Sequence, residues 1–157
     1  MTLRAVVGLG ANLGDRLATM RAAVELLKDE SQILKTSHVY ATAPVGLVNQ
    51  PDFLNAAALV RCEMAPEGLL DILLRIESRL GRLRREKWGP RVIDLDLLWG
   101  EGVAANGPRL TLPHPHLTER AFALVPMLEL APDAADPMTG ARYVAPLGDV
   151  WMTGDLL

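Results

Sequence analysis

Asp94 and Asp96 stand two residues apart in the apolar run Val92-Ile93-Asp94-Leu95-Asp96-Leu97-Leu98. A β-branched and aliphatic run with a period of two reads as a strand. Alternate strand side chains point to opposite faces, so the two carboxylates share one face and Ile93, Leu95 and Leu97 the other. Carboxylates placed side by side repel each other unless something cationic lies between them. Mg2+ is commonly held by one or two carboxylates together with substrate phosphate oxygens and water, so the pair suits a metal–nucleotide site. Just upstream, Arg75, Arg79, Arg82, Arg84, Arg85, Lys87 and Arg91 gather seven of the sixteen basic residues into one short window. Arginine grips phosphate oxygens through a two-pronged fork. Phosphoryl-type transfer needs metal, positioned cations and an in-line nucleophile, with little covalent work by the protein. The acidic strand and the basic stretch supply the first two. Each feature also has a plain alternative: the solvent face of an edge strand for the Asp pair, and a solvated helix end for the basic run.

Other groups add to this picture. Arg109, His114, His116 and Arg120 form a second basic and imidazole cluster. The two histidines with the Asp pair could be read as a zinc site. Pro113 and Pro115 argue against it by setting both in an extended loop. Aromatic residues make up only 4% of the chain, and Phe53, Trp88 and Phe122 each sit beside a polar motif. Aromatic faces with an amide such as Asn55 are a common way to hold a planar heterocycle. Ordinary core positions are the plain alternative for Phe53 and Phe122, and for Phe122 the better reading of the residues alone, since its helix is mostly apolar. Gly8, Gly10 and Gly14 have the wrong spacing for a dinucleotide fingerprint, and no Walker A sequence is present.

These residues must be positioned by a small scaffold. The chain has 157 residues, half of them hydrophobic and 22% charged, which predicts one domain over residues 1–157 with a real core. The net charge of −3 argues against bulk attraction to nucleic acid or an anionic membrane. No apolar run has the length of a membrane span, Met1-Thr2-Leu3-Arg4 does not read as a leader, and the single Cys62 fits a reducing compartment; a cytoplasmic protein is expected.

Leu3 to Leu9 reads as a strand, and Gly10 to Gly14 as a turn. Asp15 to Lys28 has helical spacing. Ile33 to Thr42 reads as a half-exposed strand, 43–52 as a loop, and Phe53 to Glu63 as a strand with Phe53, Asn55 and Ala57 on one face. Pro66 opens a second helix whose stripe is Leu69, Leu73, Ile76 and Leu80, with Gly81 suited to a left-handed cap. Past the Asp strand, Arg109 to Leu112 is a short strand and Thr118 caps a helix to Leu130, kinked at Pro126. The segment 136–140 reads as a small hairpin. Strand, helix, strand, strand, helix, strand is the order of a ferredoxin-like α+β antiparallel sheet, with helices expected on one face and the other free for ligand.

With these residues in view, the sequence resembles the 6-hydroxymethyl-7,8-dihydropterin pyrophosphokinases of folate biosynthesis. The likeness rests on Lys87-Trp88-Gly89-Pro90-Arg91 with Val92 to Leu98, on Gly8 to Gly14, on Thr42 to Gly46, on Gln50 to Asn55, and on Pro113-His114 with Glu119 to Phe122. The resemblance implies a ferredoxin-like fold and transfer of pyrophosphate from ATP to the pterin hydroxymethyl, giving AMP. It implies that Asp94 and Asp96 hold two Mg2+ ions, with Arg82 and Arg91 acting on the transferring group. It further implies a pterin site of Thr42, Pro44, Val45, Gly46, Phe53, Asn55, Trp88 and Phe122. The ATP site would draw on Glu77, Arg82, Arg84, Lys87, Trp88, Arg91, Arg109, Thr111, His114 and Arg120. Leu74, Lys87 and His116 depart from residues seen in other members, and a monomer is implied. Two alternatives stay open on the residues alone: another Mg-dependent nucleotidyl or phosphoryl transferase, and a non-catalytic ferredoxin-like module that binds a small ligand or RNA.

Overall fold

A computed structural model describes residues 2–43, 51–81 and 92–157. Strand β1 (Leu3–Ala11) is followed by helix α1 (Arg16–Lys28), β2 (Gln32–Thr36), β3 (His38–Thr42), β4 (Phe53–Cys62), helix α2 (Pro66–Leu80) and β5 (Asp94–Gly100). Two short strands, β6 (Ala105–Asn106) and β7 (Thr111–Leu112), form a hairpin. A 3-10 turn (Leu117–Glu119), helix α3 (Ala121–Leu130) and β8 (Val150–Asp155) complete the chain. The main sheet runs β5-β1-β4-β3-β8, with β2 also paired to β4, and its pairs are antiparallel. This is the expected ferredoxin-like order with one strand added at the β3 edge.

Local chemistry accounts for the element ends. Asp15 caps α1 by accepting the Ala18 N–H at 3.1 Å. Pro66 opens α2, where its missing N–H costs nothing, and Gly81 closes it at φ +142°, a backbone that other residues rarely adopt. The expected single strand at 33–42 is broken at Ser37. There the Ser37 Oγ accepts the Ala57 N–H at 2.8 Å, while the Ser37 N–H donates to the Ala57 carbonyl at 2.9 Å. A hydroxyl thus replaces one rung of the ladder across a bulge.

Alternation then sorts the side chains. Leu3, Ala5, Val7 and Leu9 of β1, Ala56, Ala58 and Val60 of β4, and Leu95 and Leu97 of β5 are buried with Met20, Val24 and Leu27 of α1 and Leu69, Leu73 and Ile76 of α2. The other face carries Val6, Ala57, Leu59, Leu98 and Trp99, packed with Leu124, Met127 and Leu130 of α3. A bulge in β5 makes this possible, because Val7 pairs with Leu97 and Val6 with Trp99, leaving Leu98 extra. Helices therefore cover both faces, not one. The reason is the composition of α3, which is apolar nearly all round and so has to be buried. It covers only part of its face.

Three further expectations are corrected. Thr118 lies inside the 3-10 turn, and Arg120 occupies the α3 cap position without a side-chain bond. The His114–His116 segment is a turn, with the Leu117 N–H donating to the His114 carbonyl at 3.1 Å, and not an extended loop. Gly10 and Ala11 belong to β1 rather than to the turn that follows it.

Two buried tyrosines make opposite use of their hydroxyls. Tyr40 donates to Glu129 of α3 at 2.6 Å, and burial with this carboxylate raises its pKa to about 12. The same carboxylate accepts the His38 backbone N–H at 3.1 Å, tying α3 to β3. The Tyr143 hydroxyl is buried and finds no hydrogen-bond partner among the described residues. Tyr40→Phe should cost about 1.5–3 kcal/mol, a charge-assisted bond lost. Tyr143→Phe should be neutral or stabilising, because an unpaired buried hydroxyl is removed. The Tyr40 hydroxyl bond requires the phenol, so its contribution is full below about pH 10 and lost as pH rises toward 12. Urea unfolding of both variants at pH 7 and pH 11 measures this; equal losses at pH 7 would contradict it.

Candidate active site

The uncovered part of the α3 face is a cavity of about 950 Å³. Its floor follows from the register of three strands. Gly8 lies between Asp96 of β5 and Ala57 of β4, and Gly10 between Asp94 and Asn55. Gly8 and Gly10 share the face of Val6, so the middle strand presents backbone where its neighbours present carboxylates and an amide. A Cβ on Gly10 would lie 3.3 Å from the Asn55 Oδ1, and one on Gly8 would lie 3.0 Å from the Leu98 side chain. Both glycines are therefore close-approach positions. The Gly8-x-Gly10 spacing is visible in the sequence, but with Gly8 read into a strand and Gly10 into a turn it points to no common floor until the pairing is known.

Around this floor stand Asp94 and Asp96, Phe53 and Asn55, Thr42, and Arg120 with Phe122. Asn55 is buried and donates from its Nδ2 to the Thr42 Oγ1 at 3.2 Å, which fixes the amide. Phe122 is 38% exposed on the cavity wall, so it is not a core residue. The Arg120 guanidinium lies 5.8 Å from the centre of its ring and brings a cation to the same wall. Leu147, Gly148, Asp149 and Val150 also line the cavity. The sequence reading missed all four, since no motif marks them.

The remaining expected residues divide. Thr111 and His114 do not line the cavity, yet His114 is close enough to Asp96 to feel its charge. Burial outweighs that charge and holds the imidazole below its usual pKa. Arg109 is exposed and paired with Asp71 of α2. Glu77 is buried, and its Oε2 accepts the Leu95 N–H at 2.8 Å. Leu95 lies between the two aspartates on an edge strand, so this bond holds the Asp-bearing backbone to α2. Pro44, Val45, Gly46, Arg82, Arg84, Lys87, Trp88 and Arg91 lie outside the described residues. Among the described residues, no three His, Cys, Asp or Glu side chains gather into a site that could hold a metal by itself. Asp94 and Asp96, on the cavity beside the Gly8 and Gly10 backbone, instead fit a divalent ion whose remaining ligands would be phosphate oxygens and water.

A ferredoxin-like sheet with paired carboxylates, a cation and aromatic walls over a glycine floor suits a class, the transferases that move phosphoryl groups between small molecules. Residues 6–132 match the family model described as 7,8-dihydro-6-hydroxymethylpterin-pyrophosphokinase (HPPK), and the chain belongs to that family. It is similar to the 2-amino-4-hydroxy-6-hydroxymethyldihydropteridine pyrophosphokinase of Methylorubrum extorquens, with 48% identity over 132 residues, 83% of this chain and 84% of the relative. The protein of the same name from Bacillus subtilis is 38% identical over 140 residues, 88% of this chain and 84% of the relative. Among solved structures it resembles Plasmodium falciparum HPPK-DHPS wild type, with a TM-score of 0.70 and 14% identity; the match covers 90% of this chain and 43% of that longer one. That likeness supports the fold. No helix among the described residues is long and apolar enough to cross a membrane.

The Glu77–Leu95 bond carries a stability prediction. Glu77→Ala leaves a buried N–H without its acceptor and should cost about 1–3 kcal/mol, while Glu77→Gln keeps an oxygen acceptor and should cost less. Urea denaturation midpoints measure both, and equal losses would contradict the assigned role.

Proposed function

We propose that this chain transfers the β,γ-pyrophosphoryl group of ATP to the hydroxymethyl oxygen of 6-hydroxymethyl-7,8-dihydropterin, with both reactants meeting over the Gly8–Gly10 floor. The observation that carries this reading is the register that puts Asp94 and Asp96 on one side of that floor and Phe53 and Asn55 on the other. In the transfer, a C–O–P bond forms between the hydroxymethyl oxygen and the β-phosphorus. The bond from that phosphorus to the α,β-bridging oxygen breaks, AMP leaves, and the hydroxyl proton passes to solvent.

The chain's own part is binding and positioning, as expected for phosphoryl transfer. Phe53 and Phe122 bound the pterin ring. The Asn55 amide, held by Thr42, reads its polar edge, aided by Pro44, Val45, Gly46 and Trp88. Asp94 and Asp96 are the residues that would hold two Mg2+ ions, which would supply positive charge to offset that of the phosphates and of the leaving AMP. Arg120 adds a fixed cation on the cavity wall. Arg82 and Arg91 act on the transferring group, with Arg84, Lys87, Arg109, Thr111 and His114 on the nucleotide. Glu77 enters this scheme as a positioning residue, through Leu95. We read residues 1–157 as one domain, acting as a cytoplasmic monomer on ATP and a reduced pterin, without nucleic acid or membrane partners.

Incubation with ATP, Mg2+ and 6-hydroxymethyl-7,8-dihydropterin should release AMP in step with pterin consumption. Release of ADP, or no turnover, would contradict the proposal. Asp96 is exposed, so Asp96→Asn should leave the protein folded, with a cooperative urea transition. It should lower kcat by a factor of at least about 100, since the charge that a metal held by Asp96 would supply is worth several kcal/mol in the transition state. A kcat within threefold of the unaltered protein would refute the metal role.

A further inference from the structure

The segment 147–150 lies outside the stretch that matches the family model, which ends at residue 132. The fold nonetheless brings it into the cavity wall beside Thr42, Phe53 and Phe122. Its position is set at several points. Val150 pairs with Thr42 across β8 and β3, and Thr42 is the residue that holds the Asn55 amide. Gly148 abuts the first residue of α3 so closely that a Cβ on it would lie 2.9 Å from the Ala121 Cβ, a distance real side chains do not accept. Farther along, the Thr153 Oγ1 donates to the Val39 carbonyl at 3.2 Å. Leu156 is buried in the core, and its carbonyl accepts the Arg21 Nε at 2.7 Å. The segment is therefore a built wall, fixed by strand pairing on one side and by a tight glycine contact on the other.

What this wall presents is chemically specific. Leu147 is fully exposed, yet it stands on a cavity whose other apolar wall, Phe122, is also uncovered. Large apolar groups lining a concave site are surfaces that a ligand covers. Asp149 brings a carboxylate, which accepts hydrogen bonds from N–H groups and repels phosphate. The repulsion of phosphate, together with the place of the wall beside Thr42, Phe53 and Phe122, favours the acceptor over the nucleotide.

Building on the reading given above, we propose that Leu147–Val150 is a wall of the acceptor half of the site. In it, Leu147 and Asp149 determine specificity for a flat heterocycle bearing an N–H edge. Leu147 covers apolar ring surface together with Phe122, Asp149 accepts from ring or exocyclic N–H groups, and Gly148 keeps both in place against Ala121.

Steady-state AMP release by the full chain, with each substrate varied in turn, tests this. Leu147→Ala should raise the acceptor KM about tenfold, as for lost apolar contact in a binding pocket. Asp149→Asn should raise it about three- to tenfold, one hydrogen bond to a charged acceptor weakened. In both, the ATP KM and the melting temperature should be unchanged, since the altered side chains are exposed and remote from the core. Gly148→Ala, which pushes the wall off α3, should raise the acceptor KM without altering the ATP KM. Calorimetric titration with the pterin in the presence of a non-hydrolysable ATP analogue and Mg2+ should reproduce the same order of affinities. An acceptor KM within twofold of the unaltered protein in Leu147→Ala and Asp149→Asn would overturn the wall. Loss of ATP and acceptor affinity together would overturn it as well, by showing a general structural effect. Failure of the unaltered chain to make AMP would instead remove the activity on which the proposal rests, so the two failures are distinguishable.

Discussion

Everything in this molecule depends on the pairing register of β1 with its two neighbours. Side chains alternate along a strand, so a slip of one residue would exchange the two faces of the sheet. In the observed register, Leu3, Ala5, Val7 and Leu9 are buried against α1 and α2. Gly8 and Gly10 thereby fall on the opposite face, between the aspartates of β5 and Asn55 of β4. The core fixes the register, and the register assembles the site. No separate device is needed to bring an acidic strand and an amide-bearing strand together, because the burial of aliphatic side chains on the reverse face already does so.

The covered and open parts of that face are set by a second packing choice. The Leu98 bulge lets Leu98 and Trp99 both meet α3, which closes one end of the face and brings Arg120 and Phe122 to the edge of the other. Glu129, at the far end of α3, accepts from Tyr40 and His38 and fixes the helix to β3. The same strand receives β8, so the aromatic wall and the tail wall are both referred to β3. Glu77 does the equivalent for β5 from the α2 side. The site is thus framed by bonds that lie one layer behind it.

Much of this was legible in the sequence, for physical reasons. Period-two alternation placed Asp94 with Asp96, and Phe53 with Asn55, on common faces, and those assignments follow from strand geometry alone. The order of elements gave the ferredoxin-like arrangement, and Pro66 and Gly81 marked the ends of α2. What was not legible required long-range pairing. Gly10 reads as part of a turn, and Gly8 as an ordinary strand position, until Asp94, Asp96 and Asn55 are set beside them. Glu77 had only the nucleotide-side place that the family resemblance implies, and its bond to the Leu95 N–H shows only once β5 is packed against α2. The apolar surface of α3 was readable, but not the face of the sheet it would cover. Residues 147–150 carry no pattern at all, because their place comes from a strand whose side chains are nearly all exposed.

The central claim is that one floor of glycine backbone serves both reactants. The most direct measurement is a crystal structure with a non-hydrolysable ATP analogue, Mg2+ and 6-hydroxymethylpterin. The account predicts metal density between Asp94, Asp96 and phosphate oxygens, with the ring over Gly10 beside Asn55 and Phe122. Metal bound away from the two aspartates, or a ring lying outside this cavity, would contradict it.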